Sequence, residues 1–357
     1  MEERLAYLGF SLFSGIGPIS AKKLHNYVTS LSSAWELSGS EFKNAGISEK
    51  IAEQFVRFRD SFSLEHCLIQ MEKSEIWFVA QCDQEYPPEL FDLSDPPLVL
   101  FGKGDKELLA HHPKVGIVGT RKMTSYGAAV TKSFAQELCS TSCTIVSGLA
   151  LGVDAAAHKA TCDAGGRALA VLGCGISCCY PSTNGYLYNS ILENDGVMIS
   201  EYPFTTPPSK GSFPARNRII AALSDALIVT EGQLNSGSLI TAAKALALGR
   251  KVFAVPGPIT SSQSQGPYKL VRDGALLATS ATEVLSVLNV STKRHQIVEQ
   301  MSNEEQMVMN LLQNEALTLD QVVKQSFLSF SQVSVLLSQM EIKRWIKRSS
   351  IGTFLPY

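Results

Sequence analysis

The sequence predicts an α/β protein with a mostly parallel sheet core, preceded by a helical region and followed by a winged helix. Three observations predict it. Between residues 114 and 285, six short β-branched runs (KVGIVGT, TIVSGLA, ALAVLGCG, GVMISEYP, ALIVTEG and KVFAVPG), most closing on glycine, each lead into a stretch of helical spacing. Continuous apolar strands alternating with helices make a parallel sheet covered on both faces. Residues 4–60 carry helical periodicity throughout. From about 297, QMVMNLLQ, LDQVVKQ and SQVSVLLSQME supply three helices, and KRWIKRSSIGTFLPY alternates like two strands around Gly352.

Composition sets the outer limits. The chain has 357 residues, 45% hydrophobic and 18% charged, far from the corner where chains stay disordered. No apolar run approaches the roughly 18 residues that cross a bilayer, and MEERLAYLGF lacks a basic start followed by an apolar segment, so a cytoplasmic protein with no membrane partner is expected. The eight cysteines sit mostly in apolar segments and are expected as reduced thiols. Cys174, Cys178 and Cys179 form no Cys-x-x-Cys pair and have no histidine at ligand spacing, so neither a metal nor a cofactor is expected. The net charge of −2 hides an asymmetry: 10 Lys and Arg against 17 Asp and Glu in 1–110, 14 against 10 in 111–285, and 7 against 6 in 286–357. A polyanion responds to the local field of one face, and the basic part is the sheet region.

Along the chain, GIGPISAKKL (15–24) sets a Gly-x-Gly turn before a helix carrying Lys22 and Lys23, the outline of a helix-hairpin-helix, with a weaker echo in NAGISEKIAEQF (44–55). Such a turn aims backbone amides at a phosphate, but the acidic balance of 1–110 favours a helical packing module. Next, IWFVAQ, YPPEL and DPPLVLFG form a strand-like lead-in to the sheet, the prolines marking turns and edges. Past the sheet, NVSTKRHQ is expected as a linker, and Lys343, Arg344, Lys347 and Arg348 follow the last helix. Those bases leave open whether the winged helix meets DNA or protein.

The chemistry gathers where ligands of parallel sheets bind, at the carboxyl ends of the strands. In VGIVGTRKMTSYG a strand ends at Gly119, and Thr120, Arg121 and Lys122 form a turn suited to phosphate, since a guanidinium clamps a phosphate with two bonds. It lacks Gly-x-Gly-x-x-Gly, so a dinucleotide site is not supported. SGLALGVDAAAH, with Gly148, is a second turn of small residues, and places Asp154 and His158 four apart on its helix. FPARNRII offers Phe213, Arg216, Asn217 and Arg218 after Lys210 in a flexible approach loop. Single-stranded bases stack on an aromatic while cations track the backbone, although at least one of the two arginines is expected to be paired internally. NSGSLITAAKAL sets Ser236, Gly237 and Ser238 at a helix start, another anion seat. There is no Gly-x-Ser-x-Gly elbow and no Walker motif.

Taken in order, GTRKMTSYG, SGLALGVDAAAH, GCGISCCYP, SEYP, FPARNRII, NSGSLITAA and PGPI resemble the DprA/Smf (DNA-processing protein A) family, over essentially the whole chain. The resemblance implies an N-terminal sterile-alpha-motif or helix-hairpin-helix-like domain (1–65), an extended Rossmann-like core (66–290) and a winged helix (297–357). It implies a protein that binds single-stranded DNA, protects incoming strands in natural transformation, dimerises through the Rossmann core and loads the RecA recombinase. Matching motifs carry Arg121, Lys210, Phe213, Arg216 and Asn217 into its DNA pocket. Two segments depart from the family pattern. Thr230, Glu231 and Gly232 end the fifth strand of the core, and GPYKLVRDGA lies where dimer contact is expected, at Tyr268, Val271 and Leu277. Two other classes are weighed beside this. One is a related nucleotide-binding enzyme cleaving nucleoside monophosphates, with Asp154, His158 and Glu231 as its acids and bases. The other is a protein adaptor working through the terminal domains.

Overall fold

The computed structural model describes residues 1–290, 302–343, 345–349 and 352–356. The chain divides into two compact units, Met1–Thr292 and Lys293–Tyr357.

Six helices open the first unit: α1 (Glu3–Leu12), α2 (Pro18–Val28), α3 (Leu31–Trp35), α4 (Gly39–Asn44), α5 (Glu49–Ser61) and α6 (Leu64–Lys73). Their starts follow from capping chemistry. Gly17 and Pro18 open α2, and Ser38 and Glu41 satisfy each other's backbone amides at the head of α4. Phe10, Trp35, Phe42 and Phe55 form an aromatic centre, with the rings of Phe10 and Phe55 stacked at 4.8 Å. That centre runs without a break into Phe101 and Met198 of the sheet, so the helices and the sheet share one core.

The sheet is built from β1 (Trp77–Ala80), β2 (Val99–Gly104), β3 (Lys114–Val118), α7 (Ser125–Cys139), β4 (Thr144–Ser147), α8 (Val153–Asp163), β5 (Arg167–Val171), α9 (Gly185–Glu193), β6 (Val197–Ser200), α10 (Ser212–Leu223), β7 (Ala226–Val229), α11 (Gly237–Ala247), β8 (Lys251–Ala254), α12 (Gln265–Arg272), β9 (Leu276–Leu277) and α13 (Ala281–Val287). The strand order is β1-β2-β6-β5-β4-β3-β7-β8-β9. Strands β3 to β9 run parallel, and β1 and β2 add an antiparallel edge. The six runs predicted from sequence are β3 to β8, buried along nearly their whole length as strands covered on both faces must be. From β3 the chain winds outward to β6, then returns to the other side of β3 as β7. The direction of winding therefore reverses between β3 and β7, and the crevice outside their carboxyl ends is the ligand position of such a sheet.

The second unit contains α14 (Asn303–Asn314), α15 (Leu319–Ser326), α16 (Phe330–Ile342) and an antiparallel pair, β10 (Ile346–Arg348) with β11 (Phe354–Pro356). Each helix opens on a reciprocal capping box, and Val308, Leu312, Val322, Val333, Leu337 and Ile346 are its core. This is the three-helix and wing arrangement expected. Lys343 pairs with Glu305 at 3.2 Å. Arg344, and the expected linker from residue 291 on, lie outside the described residues. Among the described residues, no helix is long and apolar enough to cross a membrane, and all eight cysteines are free thiols.

Gly104 closes β2 at φ +94°, and a Cβ there would stand 2.2 Å from the Gly196 carbonyl oxygen. Backbone cannot swing aside as a side chain can. Gly104→Ala is expected to lower the unfolding free energy by roughly 1–3 kcal/mol, read by urea denaturation; an unchanged midpoint would show that this edge of the sheet relaxes freely.

Candidate functional site

A cavity of about 450 Å³ occupies the crevice between the ends of β3 and β7. Its first wall is the turn after β3. The Thr120 amide donates to the Glu231 carbonyl (2.7 Å), and the Thr120 carbonyl accepts from the Val153 amide (3.2 Å). Gly152, at φ +78°, lets the β4–α8 connection press against this turn, because a Cβ there would lie 2.3 Å from the Thr120 oxygen. The Lys122 amide donates to Thr120 Oγ1 at 3.1 Å. The amides of Thr120 and Lys122 are thus committed within the protein, which leaves the side chains of Arg121 and Lys122 as the turn's cationic groups at the cavity. Both side chains are exposed, and no carboxylate among the described residues pairs with either.

The second wall is α10. The Ser212 hydroxyl donates to the Gly173 carbonyl at the exit of β5, and Phe213 lies over Gly173, where a Cβ would come within 2.7 Å of its ring. Three residues on, Arg216 is 3% exposed. It donates to the Gly148 carbonyl at 2.6 Å and to the Val171 carbonyl, and a Cβ on Gly148 would lie 2.5 Å from both of its terminal nitrogens. Arg218 points elsewhere and pairs with Asp95 (3.2 Å) and Glu201. Both arginines are therefore held internally. Arg216 lines the cavity floor as an anchor, and the expected internal pairing holds for both arginines. Asn217 is half-buried and accepts from Arg216 Nε at 3.2 Å.

The third wall is the start of α11, where the Ser236 hydroxyl contacts Ser238 Oγ at 2.8 Å, and Ser236, Gly237 and Ser238 all line the cavity. Gly119, Thr120, Arg121, Lys122, Phe213, Arg216 and Asn217 complete the predicted lining. Gly148 instead lines a smaller adjoining hollow, and Lys210 stands exposed before α10, on neither wall.

Sequence reasoning missed Tyr180. Its ring centroid lies 5.2 Å from that of Phe213, tilted by 34°, and it is 45% exposed. The Arg121 guanidinium carbon is 5.6 Å from the Phe213 centroid. Arg121, Tyr180 and Phe213 together line the smaller hollow that adjoins the cavity. The signal was an aromatic in a turn after a strand, masked by the cysteines beside it. The amides of Gln233, Asn235 and Gln263 also line the cavity unannounced.

Of the three acid–base candidates, Glu231 is engaged at a helix start, Asp154 lines the cavity and His158 is buried. Both Glu231 oxygens accept from Thr124, from its amide (2.8 Å) and its hydroxyl (2.6 Å), at the head of α7. Burial pushes the Asp154 carboxyl up and the Arg216 guanidinium down, while each charge supports the other. His158 is fully buried, and burial holds it down at about 4 against the opposing pull of a backbone contact with Ser147. Although they lie four apart on α8, no hydrogen bond joins Asp154 to His158 among the described residues. Of the expected dimer residues, Tyr268 donates its hydroxyl to the Gly257 carbonyl, Val271 packs on the core, and Leu277 is 50% exposed on the last strand.

The family model for DNA recombination-mediator protein A matches residues 77–289, and the model for the DprA winged helix domain matches 293–350. The chain belongs to the DNA recombination-mediator protein A family. It is 36% identical over 290 residues to Protein Smf of Synechocystis, covering 80% of this chain and 73% of that one. With Protein Smf of Escherichia coli it is 39% identical over 246 residues, 69% of this chain and 65%, just under two thirds, of the relative's length. Among solved structures it is similar to DNA processing protein A of Streptococcus pneumoniae, at a TM-score of 0.69 and 35% identity, covering 79% of this chain and 97% of the other. DNA processing protein A of Helicobacter pylori, described for its unique single-stranded DNA binding mode, matches at a TM-score of 0.55 and 32% identity, over 60% of this chain and 96% of that one. The resemblance drawn from the motifs agrees with these matches.

His158 makes a pH prediction. Its imidazole titrates at 6.5 when unperturbed and at about 4 in the fold, so the unfolded chain binds the extra proton. Its contribution is complete above the unfolded value and declines by on the order of 3 kcal/mol as pH falls towards the folded one. His158→Leu should flatten the fall in urea midpoint between about pH 8 and about pH 5. An unchanged slope would assign that fall to other groups.

Proposed function

We propose that the chain binds single-stranded DNA across the crevice between β3 and β7, and that as a recombination mediator it protects incoming strands and passes them to the RecA recombinase. The observation that carries this is the pairing of Phe213, open at the cavity mouth, with the unpaired cations of Arg121 and Lys122 beside it. A strand with unpaired bases can lay a base on the ring and its phosphates on the cations, whereas a duplex hides its bases in the stack. Lys210, exposed ahead of α10, extends the cationic track. The single-stranded DNA binding described for the Helicobacter pylori relative supports the same reading.

In this account residues 66–290 supply the site, with 1–65 and 297–357 as flanking domains, and the protein works in the cytoplasm without a cofactor. A homodimer would form on the outer edge beyond β8, where Leu277 is open and Tyr268 and Val271 lie close in sequence. An unpaired strand edge invites such pairing. The nucleotide-cleaving alternative loses Glu231, which is spent on capping α7, and keeps Asp154, which lines the cavity.

Anisotropy of a labelled single strand and of its duplex, at two salt concentrations, tests the site. Arg121→Ala should weaken single-strand binding and reduce its salt slope by about 0.7. Phe213→Ala should weaken binding by roughly 1–3 kcal/mol at any salt. Binding that is indifferent to both substitutions would overturn the proposal.

A further inference from the structure

A second cavity, of about 380 Å³, lies where α1, α2 and α3 meet the segment joining β1 to β2. It shares no lining residue with the first. One wall is α2, with Lys22, His25 and Asn26 exposed at the i, i+3, i+4 spacing that puts side chains on one helix face. The others hold Tyr7, Gln81 and Phe91.

Three features point to a ligand class. First, no carboxylate lines the cavity, although residues 1–110 carry 17 acids to 10 bases. Glu3, the acid that acts on His25, is occupied by the Leu31 and Ser32 amides at 2.7 and 2.8 Å, and Lys22 has no carboxylate partner among the described residues. Lys22 is therefore a cation at the cavity wall with no carboxylate among the lining residues to pair it. Second, the cavity offers two aromatic surfaces. Phe91 lines the cavity and is 53% exposed, its ring centroid 5.1 Å from that of Tyr86. Tyr7 is half-buried, and burial pushes its hydroxyl up to about 12, leaving it a neutral donor. Third, amides are at hand and the wall is braced: Gln81 Nε2 donates to the carbonyls of Pro96 (2.8 Å) and Pro97 (3.1 Å). The volume is within the roughly 300–1,000 Å³ of small-molecule sites.

We propose that this cavity is a second nucleotide site, which takes a planar base against Tyr7 and Phe91 and its phosphate on Lys22 and His25. The occupant is either a free nucleotide or one unit of a strand, and the two share this chemistry. The proposal is independent of the Phe213 site.

The test uses the full chain carrying Arg121→Ala and Phe213→Ala, which removes the first site's stacking and charge. Calorimetric titration with deoxyadenosine monophosphate, and separately with a short oligodeoxythymidine, is repeated after adding Lys22→Glu or Phe91→Ala. Both added changes are at exposed positions, and thermal unfolding checks that the fold is kept. The expected result is residual binding that falls about tenfold or more with either addition. Binding of the mononucleotide assigns the site to free nucleotides; binding of the oligomer alone assigns it to the strand. No residual binding of either probe, or residual binding that ignores both additions, overturns the proposal. If the first site is itself misassigned, Arg121→Ala and Phe213→Ala will not weaken binding, while the effect of Lys22→Glu remains readable.

Discussion

The buried guanidinium of Arg216 is the interaction on which the site depends. A charge at that depth is tolerated only when its donors are satisfied and a counter-charge is near. Here the Gly148 and Val171 carbonyls, just past β4 and at the end of β5, accept its protons, and Asp154 supplies the opposite charge. Removing either carbonyl would strand a cation in the core. The bond network therefore fixes α10 against two strand ends, and with it the first turn of the helix. Phe213 is then carried over Gly173, and Asn217 is turned towards the start of α11, its Nδ2 reaching the Gly237 carbonyl at 3.5 Å.

A second lock acts across the switch point. Glu231, just after β7, places its carboxylate on Thr124 at the head of α7 while its carbonyl holds the Thr120 amide. The positive end of α7 is neutralised from within. The cationic groups left open at the crevice are therefore Arg121 and Lys122, beside the start of α11. Under the proposed function, this division of labour suits a strand held by backbone charge and stacking.

The sheet was legible because its strands are buried on both faces and so announce themselves as unbroken β-branched runs, and the helix starts were legible because Ser38, Thr318 and Ser329 obey local capping rules. What could not be read was depth. Arg216 and Arg218 look alike in FPARNRII, yet one bonds to strand-end carbonyls and the other to Asp95 and Glu201 on another side of the helix. The glycines at 148 and 173 were visible, but their purpose, room for a guanidinium and for a phenyl ring, exists only in the folded contacts. Glu231 looked like a base because sequence does not show that both its oxygens are taken. The merging of the N-terminal aromatic centre with the sheet core is likewise long-range packing, and no local period announces it.

The most direct test of the central claim is to photo-crosslink a single strand carrying 4-thiothymidine to the full-length protein and map the adducts by mass spectrometry. Adducts at Phe213 and Tyr180, with contacts in the 119–122 turn, are the predicted result. Adducts confined to the winged helix or the N-terminal helices, with none at the crevice between β3 and β7, would contradict it.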